Sequence, residues 1–350
     1  MIDWNRTLAV FATGLCLTAG CAGSKPPAQS SAPTTASAPS EPAAPPPAPP
    51  PPVAPTPPPA SASAPPIDEG AVAAATGAEK PEKTPDGAVR VSFPRKDVEV
   101  TVDGWKLNPF MGLTSWAAFS PAKPGVAEAM VMGDLVLFED EVNPVMSVLL
   151  DNGVAVTALH NHFLFDSPKV FFLHIGGEGS VGALGKDVKL GLAKAAEIRA
   201  KKPKPPTRSG APALPAKNTI DAAKVEAALG VKGAAKDGMF KATMGRQTSA
   251  ACGCPIGKSM GVNTWAAFAG SDDNAVVDGD FAVAESELEP VLKSLRGAGI
   301  NVVSIHHHMA GEVPKILFLH FWGRGKAVDL ASAVRKTLDL TAWEGAAKSS

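Results

Sequence analysis

The chain has 350 residues, with 33 basic and 34 acidic side chains and a formal net charge of −1 at pH 7. This even charge balance argues against a broad nucleic-acid-binding surface, which needs clustered lysines and arginines. Beyond the N-terminus, no apolar run is long enough for a membrane-spanning helix, which excludes a polytopic membrane protein. Four cysteines are too few for a scaffold held together by disulfides.

The first 20 residues have the pattern of an export signal. Residues 7–19 form an uncharged apolar run, too short to span a bilayer, that follows Arg6. The run closes with Leu17-Thr18-Ala19-Gly20-Cys21, which resembles the lipobox of bacterial lipoproteins. We predict a signal peptide over 1–20 and a lipid on Cys21, which would anchor the protein to a membrane on the extracytoplasmic side of the cell envelope. The alternative is an ordinary secretory signal in which Cys21 has no role.

The segment 21–66 has the composition of a stalk. Of the 34 prolines in the chain, 18 lie within residues 24–66, among alanines and serines. Such a segment lacks hydrogen-bond donors and apolar bulk, so we expect it to be disordered and extended. A lipid followed by a stiff stalk is typical of a tethered envelope protein.

The rest of the chain is one unit that occurs twice. Residues 111–119 return as 260–268, with Met-Gly, Trp-Ala-Ala and Phe in the same places, and the Gly-Asp pair at 133–134 returns at 279–280. A segment rich in proline and lysine separates the two units. We predict a first repeat domain over 67–200, a linker over 201–218 and a second repeat domain over 219–345.

Each unit predicts a helix, two strands, a helix, two strands and a closing helix. Read from whichever repeat has the clearer pattern, the segments in chain order are a helix at 222–229, strands at 116–119 and 131–138, a helix from 286 to 296, strands at 299–305 and 316–321, and a helix at 327–338. The helix that starts at Ser286 follows from a capping box with Glu289. The order β-β-α-β-β-α after a first helix predicts an α+β fold with two tandem homologous domains.

All seven histidines lie in two matched places, each with the pattern His-x-His followed by a histidine twelve residues later. The six that match between the repeats are His160, His162 and His174, and His306, His308 and His320. Residues i and i+2 of a strand share a face, so each His-x-His pair should point the same way. A tight turn centred on Asp166-Ser167-Pro168 would place His174 opposite His160. Three imidazoles on one patch match the ligands of zinc, or of a mononuclear iron or copper site.

Two alternatives concern the histidines and their neighbours. The imidazoles could be half-buried strand residues that hydrogen-bond to backbone carbonyls and bind no metal. The candidates for a fourth ligand or a proton-transfer group are the matched carboxylates Glu141, Glu287, Asp134 and Asp280. Their structural interpretations are a helix first turn for Glu287 and a turn after glycine for Asp280.

Cys252 and Cys254 occur only in the second repeat and outside the predicted signal. We predict a small disulfide between them, and soft ligands for copper are the alternative. Trp116 and Trp265 are expected to be core residues. The sequence has no glycine-rich phosphate loop and no serine nucleophile elbow.

These motifs together resemble the LppY/LpqO family of bacterial lipoproteins. The resemblance rests on Met-Gly-x-x-x-Trp-Ala-Ala-Phe, Gly-Asp, a glutamate at the helix start, His-Asn-His and Phe-Leu-His, and it covers residues 85 to 345. It implies a lipid-anchored envelope protein built on a duplicated unit, and it implies no established activity. His307 replaces the asparagine that the first repeat keeps as Asn161.

Three functions are compatible with the sequence. The leading hypothesis is an envelope lipoprotein in which each repeat binds a divalent transition metal (zinc, copper or iron) through its three histidines. The second is a non-enzymatic binding or scaffolding module with structural histidines. The third is an envelope metallohydrolase or oxygenase, which requires an open coordination position and a nearby acid or base. The sequence predicts a membrane partner through the lipid and no nucleic-acid partner.

Overall fold

The computed structural model describes residues 65–208 and 210–346. The predicted signal peptide, the lipid on Cys21 and almost all of the predicted stalk lie outside these residues. Within the two described ranges, no helix is both long enough and apolar enough to cross a membrane.

The described residues contain six α-helices and seventeen strands. The helices are α1 (Glu69–Thr76), α2 (Glu139–Asp151), α3 (Val181–Lys201), α4 (Ala222–Leu229), α5 (Glu285–Gly297) and α6 (Ala327–Leu338). The strands of the first repeat are β1 (Glu82–Lys83), β2 (Val89–Pro94), β3 (Thr101–Val102), β4 (Trp105–Lys106), β5 (Thr114–Pro121), β6 (Ala129–Phe138), β7 (Ala155–His160), β8 (Asp166–Ser167) and β9 (Val170–Gly179). Those of the second are β10 (Gly233–Lys236), β11 (Met239–Gly245), β12 (Thr248–Ser249), β13 (Pro255–Ile256), β14 (Asn263–Gly270), β15 (Ala275–Ala284), β16 (Asn301–His306) and β17 (Ile316–Gly325).

Twelve of the strands form a single antiparallel sheet that runs through both repeats. Its order is β1-β2-β5-β6-β9-β7-β16-β17-β15-β14-β11-β10. The repeats meet where β7 pairs with β16, with Leu159 opposite Ile305. These two residues occupy equivalent positions in the two repeats, so the junction pairs like with like, as a two-fold symmetric interface does.

The two faces of the sheet have different surroundings. The helices pack on one face, where their apolar side chains and those of the sheet form one continuous core that includes Leu149, Phe268, Leu295 and Phe321. The opposite face, called the open face below, carries no α-helix among the described residues. It is covered in part by loops, and a smaller apolar cluster that includes Leu113 and Phe172 lies there.

The predicted α+β class and the two repeated units are confirmed, and most predicted elements match the observed ones. The predicted helices at 222–229 and 327–338 coincide with α4 and α6. The predicted capping box at Ser286 is wrong, because α5 begins earlier and has Ala284 at its N-cap. Glu287 is therefore the third helical residue, and its Oε2 accepts a hydrogen bond from the Ala284 amide at 2.8 Å.

The segment between the repeats packs against the second repeat. The Asn274 side-chain amide donates to the carbonyl oxygen of Ala213 at 3.2 Å, and the Arg324 guanidinium donates to the carbonyl of Pro212. The predicted domain boundaries at 200 and 219 stay predictions. Because both repeats contribute strands to one sheet, the fold does not separate them into two domains.

Candidate metal centre

One row of side chains crosses the open face in each repeat. Asp134 on β6 lies opposite Trp116 on β5 and His174 on β9, so the three side chains share a face. The second repeat has the same row, formed by Trp265, Asp280 and His320. The duplication therefore preserves an aspartate between a tryptophan and a histidine.

The glycine before each aspartate lies in the middle of a strand, so the turn interpretation of Asp280 is wrong. Gly133 and Gly279 are paired on both sides within β6 and β15. A Cβ added to Gly279 would overlap the carbonyl oxygen of Trp265 and the ring of Phe321. The glycine thus allows close packing on the helix-covered face, and this fixes the following aspartate on the open face.

The predicted histidine register is wrong by two residues. His174 lies opposite Ala158, and His160 lies opposite Phe172. The reason is that Asp166 and Ser167 pair with β3 and do not form the tip of a tight hairpin. A shift of two residues preserves the face of each side chain, so His160 and His174 still meet.

In the first repeat the three histidines form a compact group. The Nε2 atoms of His160 and His174 lie 2.9 Å apart. The ring of His162 is parallel to that of His160, with centroids 5.2 Å apart, and stacks on Phe172 at 3.6 Å. The phenyl ring therefore supports the second histidine of the His-x-His pair.

In the second repeat, donor atoms of Asp280, His306 and His308 all lie within 4.8 Å of one another, as in a group that could hold a metal ion. The Nε2 atoms of His306 and His308 are 3.1 Å apart, and His308 Nε2 is 3.4 Å from Asp280 Oδ2. His320 completes the group, because its Nδ1 lies 3.9 Å from Asp280 Oδ1 and its ring stacks on His306 with centroids 4.6 Å apart. His308 also stacks on Phe318 at 3.5 Å, as His162 does on Phe172.

Both aspartates are buried carboxyl groups in which one oxygen accepts no hydrogen bond from the described residues. Asp134 is 8% exposed and Asp280 is 2% exposed. Among the described residues, none provides a hydrogen bond to the Oδ1 atom of either carboxylate. Because a buried carboxylate oxygen without a hydrogen bond is costly, a proton or a cation would stabilise each site.

The pKa values of the site follow from burial and from like charges. Burial raises the pKa of Asp280, against the opposing effect of His320 and His308. Burial, followed by repulsion from His320 and His308, lowers the pKa of His306 to about 4. Burial and repulsion from His160 likewise lower the pKa of His162. Low imidazole pKa values favour the neutral rings that metal ions bind.

The two histidine groups are close neighbours in the sheet. The strands that carry His174, His160, His306 and His320 are β9, β7, β16 and β17, and they are adjacent in this order. Extending the register from the Leu159–Ile305 pair places His160 beside Ser304, which pairs with His320 on its other side. His160 and His320 are thus two strand spacings apart, about 10 Å. No local pattern in the sequence indicates this proximity, because it arises from the pairing of distant segments.

The predicted carboxylates Glu141 and Glu287 have other partners. Glu141 is fully buried and forms ion pairs with Arg95 Nη1 and Arg199 Nε, each at 2.7 Å. Glu287 forms an ion pair with Arg246, the counterpart of Arg95. Within the described ranges, no hydrogen bond or ion pair joins either glutamate to a histidine. Each glutamate lies at the start of a helix and forms an ion pair with an arginine directly after a sheet strand. We therefore exclude both from the candidate centre.

The expectation that the two tryptophans are core residues is wrong. Trp116 and Trp265 are half-buried and lie on the open face. Each ring stacks under a cation, Arg90 at 4.3 Å and Lys241 at 4.0 Å from the ring centroid. The strand period could have predicted this position. Phe119 lies three residues after Trp116, so the two side chains point to opposite faces of the sheet and only one of them can face the core.

Cys252 and Cys254 are joined as a disulfide in the loop between β12 and β13.

Together these features define a duplicated α+β protein with a histidine–aspartate group on the open face of each half of a shared sheet. The family described as Domain of Unknown Function (DUF1259) matches residues 71–194 and 223–340. The chain belongs to this family and contains its domain twice, which confirms the predicted duplication. No curated protein and no solved structure matches the chain.

Proposed function

We propose that each repeat binds one divalent transition metal ion on the open face. The ligands in the second repeat are His306, His308, His320 and Asp280, and those in the first repeat are His160, His162, His174 and Asp134. The observation that carries the proposal is the buried Asp280 oxygen without a hydrogen bond beside the converging imidazole nitrogens of the second repeat. The first repeat has the same residue types at the equivalent positions, with Asp134 opposite His174 and the His160 and His174 nitrogens in contact. A cation would satisfy this oxygen and bind the neutral nitrogens.

The separations between nitrogens support this proposal. Two imidazoles bound tetrahedrally to zinc, at about 2.05 Å, have their nitrogens about 3.3 Å apart. The observed separations of 2.9 Å and 3.1 Å need only small rotations of the rings to reach this value. His308 Nδ1 lies 3.4 Å from the carbonyl oxygen of Gly261, and a hydrogen bond there would leave Nε2 free to bind metal.

The open face favours a site that a small molecule can reach. In the first repeat, Asp134, His162 and Trp116 line a cleft of about 530 Å³. A metal ion at its edge could accept a ligand from solvent, which is the property shared by metal-dependent hydrolases and oxygenases. If the open face binds no metal, the alternative of a non-enzymatic binding or scaffolding module is favoured.

The test of this proposal is the metal content of the chain from residue 67 onward, purified without chelators or a histidine tag. We expect two equivalents of one transition metal per chain by plasma mass spectrometry. A protein that binds none, even after zinc, copper and iron are offered, would contradict the proposal and favour structural histidines.

We also propose that the chain is a lipid-anchored protein of the cell envelope. The lipobox pattern that ends at Cys21, the proline-rich segment behind it and the resemblance to LppY/LpqO lipoproteins support this location.

Replacing Cys21 with serine removes the sulfur that the lipid would occupy. We expect the variant to move from the membrane fraction to the soluble fraction after cell lysis, as measured by immunoblotting. The Cys16→Ser variant is the matched control and should stay in the membrane fraction. A Cys21→Ser variant that stays there too would contradict the lipid anchor.

A further inference from the structure

A second cleft, of about 610 Å³, lies on the open face beside the histidine group of the second repeat. Its floor is formed by small side chains, Ala267 and Ala269, and Trp322 lines one side. Leu214, from the segment between the repeats, lines it from above the sheet. Such an apolar cleft has the size of a small-molecule site.

The cleft and the histidine group share one surface. Trp322 follows His320 by two residues on β17, so the two side chains point to the same face. Lys241 lines the cleft and also lies over the ring of Trp265, which pairs with Asp280. A molecule in this cleft would therefore have one end next to the histidine–aspartate group.

The charges at the cleft favour an anion. Lys236 and Lys241 both line it. Within the described part of the chain, neither lysine forms an ion pair with a carboxylate. Asp278 also lines the cleft and offsets one of the two charges, so the net charge is one positive. An apolar body and a single anionic group therefore match its walls.

The first repeat lacks the features that form this cleft. Gly176 occupies the position equivalent to Trp322, and Met132 the position equivalent to Asp278. The hydrogen bonds that hold residues 212–213 over the sheet come from Arg324 and Asn274 of the second repeat. The two repeats thus share the histidine–aspartate pattern but differ in the surface next to it.

We propose that this cleft binds an apolar carboxylate, with its hydrocarbon body on Ala267 and Trp322 and its carboxylate at Lys241. This goes beyond the proposed metal binding and does not depend on it, because all of these contacts come from the protein. The bound carboxylate would lie next to the second metal site.

The experiment measures decanoate and decanol binding to the chain from residue 67 onward by isothermal titration calorimetry, with chelator-treated and zinc-loaded protein. We expect decanoate to bind both forms. Lys241→Gln should weaken decanoate binding about tenfold and change decanol binding less than twofold, because only the charged contact is lost. Ala267→Leu should abolish the binding of decanoate and decanol, because the larger side chain fills the floor of the cleft. Trp322→Gly introduces the residue found at the equivalent position of the first repeat and should weaken the binding of both ligands.

Ala118→Leu is the matched control, because Ala118 is the equivalent position in the first repeat, and it should leave binding unchanged. Circular dichroism and the unfolding midpoint establish that each variant is folded. Absence of decanoate binding to either wild-type form would overturn the proposal, as would equal losses in Ala118→Leu and Ala267→Leu. An unchanged decanoate affinity in Lys241→Gln would overturn the carboxylate assignment. Decanoate binding without zinc uptake would instead overturn the metal proposal alone.

Discussion

Replacing His308 with alanine is expected to lower the bound metal from two equivalents to one. His308 Nε2 lies within reach of both His306 Nε2 and Asp280 Oδ2, at 3.1 Å and 3.4 Å. Removing it leaves the second site without a central ligand, while the first site keeps all its donors. His162→Ala should remove the other equivalent, and the double variant should bind none. Plasma mass spectrometry of gel-filtered protein gives the three values.

His307→Asn is the matched control for this experiment. His307 is exposed, follows His306 directly in the chain, and has asparagine as its counterpart in the first repeat. The variant removes an imidazole and should retain two equivalents. A loss of metal in His307→Asn as large as that in His308→Ala would contradict the assigned ligands, as would a double variant that still binds metal.

Asp280→Asn separates charge from shape at the second site. The amide has the size of the carboxylate, but it brings no negative charge to the histidine nitrogens. We expect the affinity for zinc at this site to fall by about 10- to 100-fold, measured by competition with a chromophoric chelator. Unchanged circular dichroism would show that the effect is local.

Replacing Glu141 with glutamine is expected to cost about 3–5 kcal/mol of the free energy of unfolding. Glu141 is fully buried, and its two oxygens bind Arg95, Arg199 and the Phe138 amide. Glutamine removes the charge and leaves Arg199, which is 5% exposed, with Asp140 as its one ion-pair partner among the described residues. Urea unfolding monitored by circular dichroism gives the free energy, and the metal content should stay at two equivalents.

Glu287→Gln is the matched control in the second repeat. The Glu287 side chain is 16% exposed, and within the described part of the chain its one ion-pair partner is Arg246. The amides of Ala284 and Ala342 also donate hydrogen bonds to it. Because one arginine is affected and water can reach the carboxylate, we expect a smaller loss of stability than for Glu141→Gln. A loss as large as that of Glu141→Gln would contradict the role of the second arginine.

Local patterns in the sequence determined the repeat, the α+β class and most of the elements. The helices α4 and α6 were predicted with their observed ends, since capping residues and apolar period are properties of short segments. The rings of His160 and His162 do lie together as the strand period predicted, although β7 ends at His160 and His162 lies in the loop that follows. Asp280 was proposed as a ligand candidate from its repetition, and its place beside the histidines supports that choice.

Tertiary structure alone decided how these segments meet. The register of His174 depended on β8 pairing with β3, a contact between segments far apart in the chain. The role of Glu141 depended on Arg95 and Arg199, which lie on other elements. The two repeats join into one sheet because the edges of β7 and β16 pair with each other. This pairing brings the six histidines together. Such pairings are selected by the total burial and hydrogen bonding of the folded chain, and no local pattern encodes them.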